Sequence, residues 1–369
     1  MRIAIITNTY PPRVGGLEQH LQQLATGLAK LGNDVTVITI DEQPGTRLEN
    51  GVRILIGKAH LPISGVISFP TLGTTRRLAS FLSEGAFDAV SVHTRFFPMT
   101  FVGLRAAHMA CIPVVHTEHG SGYVASSSTI IALASRVVDN TLGRYVLRHA
   151  ERVLGVSQEA ASFARRLGAK EPKVFYNAIG PRLSPAEVPD RPERLVFVGR
   201  LVDGKGWDTF LRAVARLRDH GRDIEGIILG DGSDFDAARS LAEELRVDDV
   251  VQLRGRVSPE HVRSEISGAT LVNPTVLSEG FQTTMLEALA EDGRVVTFDV
   301  PGAKLLRTQG MPVLIAPQKS TDSLVETLEL LLDDPPPAAS AGALSPWTWE
   351  ERLREFSGVL ADVAPTSIR

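Results

Sequence analysis

The sequence has almost no cysteine: Cys111 is the single one in 369 residues, so neither an intrachain disulfide nor a cysteine-built metal centre is available to it. Beside Ile112, Cys111 reads as a small buried apolar residue, and its isolation fits a reducing compartment. A leader-like apolar start is missing as well. Only Arg2 precedes the run "IAII", and polar Thr7, Asn8 and Thr9 end it, which excludes a signal peptide or membrane span there and leads us to expect a cytoplasmic protein. Nor is the composition biased toward disorder, since 43% of residues are hydrophobic and 22% charged, as in an ordinary globular chain. Net charge is only −4, which gives no support to whole-domain attraction to nucleic acid. That figure hides an asymmetry: residues 1–180 hold 18 basic against 12 acidic side chains, and residues 181–369 hold 21 against 31. A basic first half suits an anionic membrane or an anionic acceptor, although uneven solvated surface is the usual cause of such an asymmetry.

What is present is a repeating α/β pattern. The length exceeds one average domain and implies two cores with a cleft between them, a common place for a ligand. In the first half, "RIAIIT", "DVTVIT", "DAVSVH", "IPVVHTEH" and "RVLGVS" are short apolar strands separated by helical stretches. Leu17, Leu21, Leu24, Leu28 and Leu31 fall at helical spacing, with Gly32 placed to end that helix. Four prolines in residues 181–192 mark a linker, after which the alternation restarts with "RLVFVG", "EGIILG", "DVVQLRG", "ATLVNPT" and "RVVTFDV" as strands. The expectation is two doubly wound, Rossmann-like domains facing a cleft, 1–180 and 193–344, followed by a terminal helix over 345–369 that begins with Trp347 and Trp349 as anchors.

Chemistry must come from the turns at the strand ends. In "VGRLVDGKGW", Gly199, Gly204 and Lys205 satisfy G-x-x-x-x-G-K, but Gly206 stands where a magnesium-binding Ser or Thr is needed, so the P-loop reading fails at the metal. Arg200 and Lys205 remain as two cations at the mouth of the sheet, suited to a diphosphate and to charge developing on it as it leaves. In "SEGFQTTMLEA", Gly280 permits close approach to a ligand, and the amides of Phe281, Gln282, Thr283 and Thr284 open a helix with its positive end forward. Glu279 sits in the turn and Glu287 about two turns into that helix, where they suit sugar hydroxyls and the vicinal hydroxyls of a ribose. Periodicity alone reads them more simply, as an exposed acid at a helix start and a surface helix acid. "DGSD" after Gly230 does not complete a dinucleotide fingerprint and reads as a structural turn, while Arg254, Gly255 and Arg256 end another strand and fit a base-bordering role or plain surface charge. No cluster of potential ligands along the chain argues for a metal.

Taken together, "TNTYPPRVGGLEQHL", "PVVHTEHG", "AERVLGVSQ", "GRL…GKG", "ILGDGSD", "VQLRGRVS" and "SEGFQTTMLEA" resemble, in order and spacing over nearly the whole chain, the retaining nucleotide-sugar glycosyltransferases of family 4, which have the GT-B fold. The resemblance implies transfer of a hexosyl unit from a nucleoside diphosphate sugar to an acceptor hydroxyl, without cofactor and without metal. Residue by residue, it implies that Glu279 meets the donor sugar's hydroxyls, Glu287 holds the ribose, Arg200 and Lys205 the diphosphate, and Gly15 and Gly16 close over the phosphate side. It places His119 near the reacting sugar. His116, three residues upstream, reads as a packed strand histidine. The implied mechanism is a same-face substitution with retention, unlike the paired-carboxylate route of a retaining glycosidase. Domain closure over the linker would exclude water.

Three departures bear on the donor: Gln282 stands where the family often has glycine, Asp292 and Arg294 replace a Gly-x-Pro pattern, and Ala178 follows Asn177 where glycine is usual. Rival readings are an epimerase or phosphorylase of the same fold, or a non-catalytic sugar-nucleotide-binding subunit. For the acceptor side, "ISGVISFPTLGTTRRLASFL" and "IIALASRVVDNTLGRYVLRH" mix apolar residues with Arg76, Arg77, Arg136, Arg144 and Arg148, a pattern fit either for docking on an anionic membrane or for helices packed on the sheet.

Overall fold

A computed structural model describes residues 1–13, 15–63, 67–123, 129–183, 189–277 and 280–364. Glu279 and part of the 181–192 segment therefore lie outside the described residues. The chain divides into two compact units, one formed by Met1–Ala178 with the segment ending at Phe281 and the stretch from Trp349, the other by Ile179–Leu277 and Gln282–Thr348.

The first unit carries a nine-stranded sheet. Its strands are β1 (Arg2–Ile6), β2 (Asp34–Asp41), β3 (Gly45–Glu49), β4 (Val52–Ile63), β5 (Ile67–Pro70), β6 (Ala89–His93), β7 (Val114–Glu118), β8 (Arg152–Gly155) and β9 (Lys173–Val174). The order is β3-β4-β2-β1-β6-β7-β8-β9, parallel from β4 to β9, with β3 and β5 pairing antiparallel to β4. The central strands β6 and β7 are buried at every position, as a sheet covered on both faces requires, although Ser91 and His93 in β6 and His116, Thr117 and Glu118 in β7 are polar. In the stretch between β2 and β6, read from sequence only as a helical connection, β3, β4 and β5 instead form an antiparallel ribbon. Its first turn is Asn50-Gly51, with φ of 49° and 80°, the two positive values that a tight hairpin demands. Cys111 also departs from expectation: it is exposed, at φ 55°, just past the helix Pro98–Met109, because the chain reverses there into β7.

Helix Gly16–Lys30 lays Leu21, Leu24 and Leu28 on this sheet, and helix Trp349–Val363 completes the same core with Phe356 and Leu360, all fully buried. The two helices meet at Gly27, where a Cβ would stand 2.3 Å from Leu353 Cδ1, so a larger residue there would require the Leu353 side chain to shift. Phe356 also packs against Phe175 at 5.3 Å between ring centroids.

The second unit holds β10 (Arg194–Val198), β11 (Glu225–Leu229), β12 (Val251–Leu253), β13 (Thr270–Asn273), β14 (Arg294–Thr297) and β15 (Val313–Ile315). All pairs are parallel, in the order β12-β11-β10-β13-β14-β15, the doubly wound arrangement in which strand order reverses between β10 and β13. Helix Pro259–Ile266 and strand β15 were not legible as separate elements in the sequence. The departures Asp292 and Arg294 have a structural use: Arg294, buried, pairs with Asp190 through two bonds of 2.5 and 3.0 Å and donates to Pro336 O at 2.7 Å, while Asp292 pairs with Arg182. They fasten the ends of the proline-rich segment to this unit. Trp347, buried, donates from Nε1 to Gln309 at 3.0 Å.

Because Phe356 fills the first unit's core from the far end of the chain, Phe356→Ala is expected to cost that unit about 3–5 kcal/mol. Urea unfolding should show the first unit's transition moving to lower urea while the second unit's keeps its midpoint.

Candidate functional site

In each unit the residues singled out by sequence gather at the carboxyl ends of the strands where the order reverses. In the second unit, the loop after β10 is held by glycines in contact with neighbouring backbone. A Cβ on Gly230, at φ 147°, would lie 1.8 Å from Gly199 O, and one on Gly206, at φ 87°, would lie 2.4 Å from Pro274 O. The amide of Val276 donates to Gly204 O at 2.9 Å, and the Thr275 hydroxyl reaches the same oxygen at 3.2 Å. The loop after β10 is thereby zipped to the loop after β13. Arg200, exposed, and Lys205, half-buried, project from it; the methylene stem of Lys205 runs beside Gly199. The glycine turn Gly230–Gly232 is thus a packing element, and Gly255 O accepts from the Gly230 amide at 2.8 Å. Arg254 is engaged by Glu265 at 2.5 Å, which turns it toward helix Pro259–Ile266.

After β13 the helix runs from Thr283 to Ala290, with Gln282 as its N-cap. It opens two residues later than the sequence suggests, so the amides left free by the first turn belong to Thr283, Thr284 and Met285, with Phe281 and Gln282 outside it. The Gln282 side chain accepts from Asn273 Nδ2 at 2.5 Å at the end of β13. Glu287 is therefore about one turn into the helix, half-buried. Burial raises its carboxyl above the ordinary range, Arg263 draws it down and Glu291 pushes it up. Glu291, fully buried, pairs with Arg263 and accepts from the Leu183 amide at 2.9 Å.

In the first unit, order reverses between β1 and β6. Gly15, extended at φ −178°, caps the helix Gly16–Lys30 that follows β1, and the Glu18 carboxylate folds back over it. One turn on, His20 enters the core. It meets His119, just past β7, at 4.9 Å between ring centroids, with Trp349 at 5.2 Å on another side. His93 at the end of β6 places Nδ1 3.3 Å from His119 Nε2, and its Nε2 lies 2.9 Å from Ser91 Oγ. Gly280 packs on the His119 carbonyl, where a Cβ would stand 2.3 Å from the oxygen. Phe281 is buried beside it, its carbonyl accepting from Asn177 Nδ2 at 2.7 Å. Burial lowers His20 to about 4 and holds His93 and His119 well below the usual imidazole value, with the neighbouring rings adding to the effect on those two. All three rings are neutral at pH 7.

Behind the histidines lies a fully buried charge network. Arg95 Nη1 donates to Glu118 Oε1 at 2.8 Å; Nη2 donates to Asp139 Oδ2 at 2.9 Å and to Gly122 O at 3.0 Å. The Glu118 carboxylate also accepts from the Gly120 amide at 2.8 Å and faces His116 Nε2 at 3.3 Å. Burial would raise the Glu118 carboxyl, but Arg95 and His116 outweigh it and bring it down to about 2. His116 is a packed strand histidine inside this network.

The structure thus assembles Arg200, Lys205, Thr283 and Glu287 at one strand reversal, and Gly15, Gly16, His119, Gly280 and Phe281 at the other. Sequence reading missed His20, His93, Arg95, Glu118, Asp139 and Asn177. His20 had a signal, since it occupies the apolar stripe between Leu17 and Leu24. A separate cavity of about 510 Å³ lies at the ends of β1, β2 and β4, lined among others by Tyr10, Arg13, Arg47, Lys58, His60 and Leu61. It contains none of the predicted donor-site residues, but Ile67 and Ser68 belong to the segment read from sequence as acceptor-side.

Residues 14–182 match the family model described as Glycosyltransferase Family 4, and residues 184–343 match Glycosyl transferases group 1. Among relatives, the phosphatidylinositol N-acetylglucosaminyltransferase GPI3 subunit of Saccharomyces cerevisiae is 27% identical over 88% of this chain and 73% of its own. The D-inositol 3-phosphate glycosyltransferase of Corynebacterium aurimucosum is 24% identical over 100% of this chain and 97% of its own. The crystal structure of Anabaena HepE in complex with UDP and glucose shares the fold, with a TM-score of 0.73 at 17% identity, covering 98% of this chain and 100% of that one.

The Arg95 network yields a direct test. Arg95→Met leaves two buried carboxylates without their cation and is expected to destabilise the first unit by about 3–5 kcal/mol at pH 7. A carboxyl held low in the folded state gives stability that is present above its unfolded value near 4.3 and lost as pH falls toward 2. Without Arg95 that depression is gone, so the penalty should shrink as pH drops below about 5. Urea titrations of both proteins from pH 7 to pH 4 measure it.

Proposed function

The chain belongs to the family-4 glycosyltransferases, and from that premise we propose that it moves a hexosyl unit from a nucleoside diphosphate sugar to an acceptor hydroxyl, with retention at the anomeric carbon. The observation that carries this reading is the glycine-zipped loop after β10, which holds Arg200 and Lys205 beside the loop of β13. Two fixed cations and the free amides of Thr283–Met285 supply what a departing diphosphate needs, and they need no reorganisation as charge develops. On this reading transfer runs without a metal or cofactor. Glu287, set just inside the helix, accepts from ribose hydroxyls, and Glu279 orients the sugar. The bond from C1 to the diphosphate oxygen breaks as the bond to the acceptor oxygen forms on the same face. The acceptor's proton passes to the diphosphate.

The acceptor is lipid-borne on this reading. The relatives' names speak of phosphatidylinositol and inositol phosphate, and the cavity at the ends of β1, β2 and β4 is lined by Arg13, Arg47 and Lys58 together with Asp41, Glu42 and the hydroxyls of Thr9, Tyr10 and Ser68. Its rim is the β4–β5 ribbon, where Leu61, Phe69 and Leu72 are 75%, 40% and 95% exposed beside exposed Arg76 and Arg77. Exposed apolar side chains next to arginines suit shallow docking on an anionic membrane. Among the described residues no helix is long and apolar enough to cross one. Peripheral docking on the cytoplasmic face is part of the reading.

With a panel of UDP-, GDP- and ADP-sugars, one donor is expected to release nucleotide, and Arg200→Ala or Lys205→Ala should lower kcat/KM by about 10²–10³. NMR of the product should show the donor's anomeric configuration; an inverted product, or full activity in the double variant, overturns the reading. In vesicle sedimentation at low salt, the protein should pellet with anionic and not with zwitterionic lipid, and a Leu61→Ser, Leu72→Ser variant should stay in the supernatant. Absence of the wild-type chain from the anionic pellet removes the docking step.

A further inference from the structure

The three histidines at the strand reversal of the first unit have a geometry that sugar transfer does not require. His20, His93 and His119 each offer a ring nitrogen within 4.8 Å of the other two. His93 Nδ1 and His119 Nε2 are 3.3 Å apart. Two ligands of a tetrahedral ion with metal–nitrogen bonds of about 2.0–2.1 Å stand roughly that far from each other. A hydrogen bond alone would account for the pair. It does not account for His20, which is only 5% exposed and whose one polar side-chain partner outside the three rings is Asn177. Asn177 can satisfy one ring nitrogen of His20, and the other is left buried beside His93 and His119, where an unmatched nitrogen is costly.

We propose that His20, His93 and His119 form a binding site for a divalent transition-metal ion of zinc's class, with a fourth position open toward the half-buried side of His119. Neutral imidazoles from three separate elements, with no thiolate, suit zinc, copper, nickel or cobalt and not magnesium or calcium. The Ser91 hydroxyl on His93 Nε2 is the outer partner that fixes the ring of a metal-bound histidine. Glu118 is excluded from the ligand set, because both of its oxygens are already engaged by Arg95, His116 and the Gly120 amide. Its charge, together with the apolar wall of Trp349 and Phe175 around His20, leaves the imidazoles as the donors. The site differs in kind from the donor machinery of the second unit, which carries no step through a metal. Occupancy would immobilise the His119 ring, and a metal-loaded chain should transfer sugar poorly while the chelator-treated chain is active.

The test uses the full chain, freed of metal by chelator and titrated with Co²⁺ and Zn²⁺. One equivalent of Co²⁺ should give the visible absorption of a four-coordinate ion and be displaced by Zn²⁺. X-ray absorption on the zinc-loaded wild type should count three imidazole nitrogens, a readout that depends on no variant folding and on no activity. In His20→Gln and in His93→Asn, zinc affinity should fall by more than the roughly 10–100-fold that loss of an outer partner costs. His60→Ala, which alters an exposed histidine bonded to Thr71, should leave it unchanged. No stoichiometric binding at micromolar zinc, or fewer than three imidazoles on the ion, overturns the proposal and leaves the Asn177 side chain as the partner of His20. Neither result depends on whether the transfer reaction has been read correctly.

Discussion

The buried guanidinium of Arg95 is the constraint on which the first unit's site rests. A cation removed from water needs partners, and here both terminal nitrogens have them in Glu118, Asp139 and the Gly122 carbonyl, with the ring of Phe163 4.6 Å from the guanidinium carbon, while Nε is buried without one. Each partner belongs to a different part of the chain. Glu118 ends β7 and, by accepting from the Gly120 amide, shapes the turn that carries His119. Asp139 opens a short π-helical segment, Asp139–Gly143, and Gly143 leaves the room that the Arg95 stem occupies. An apolar triad of equal volume would hold these segments together at least as firmly, but without fixing the direction in which the turn leaves the strand.

The two units reach a similar end by different physics. In the second, position is set by backbone touching backbone: Gly199 against Gly230, Gly206 against Pro274, Gly232 against Leu201. Such contacts commit no side-chain charge, so Arg200 stays at the surface. In the first unit, buried polar side chains hold one another, and the imidazoles are kept neutral as a consequence.

Much of this was legible in the sequence, because parallel strands buried on both faces must be apolar runs and their covering helices must show a 3.6-residue stripe. The Gly-Lys-Gly loop was readable for the same reason: few backbones other than glycine's come so close to a carbonyl. The antiparallel ribbon over 45–70 was missed although Asn50-Gly51 announced it, since its strands alternate weakly and resemble neither pattern. Arg95 gave no signal at all. Its partners lie 23 and 44 residues away, and nothing local to "HTRFF" distinguishes a buried arginine from an exposed one. The start of the helix at Thr283 was misplaced by two residues because Gln282 and Phe281 continue its periodicity while their backbone does not.

The pairing of Gly27 with Leu353 has a consequence for how the molecule is made. The first unit needs Phe356 and Leu360 to close the core over Leu21, Leu24 and Leu28, yet those residues leave the ribosome only after the whole second unit has emerged. During that interval the nascent first unit presents an uncovered leucine face to solvent or to a chaperone. Its maturation is therefore post-translational in timing, and a cargo fused close behind Val363 would compete with the step that seals it.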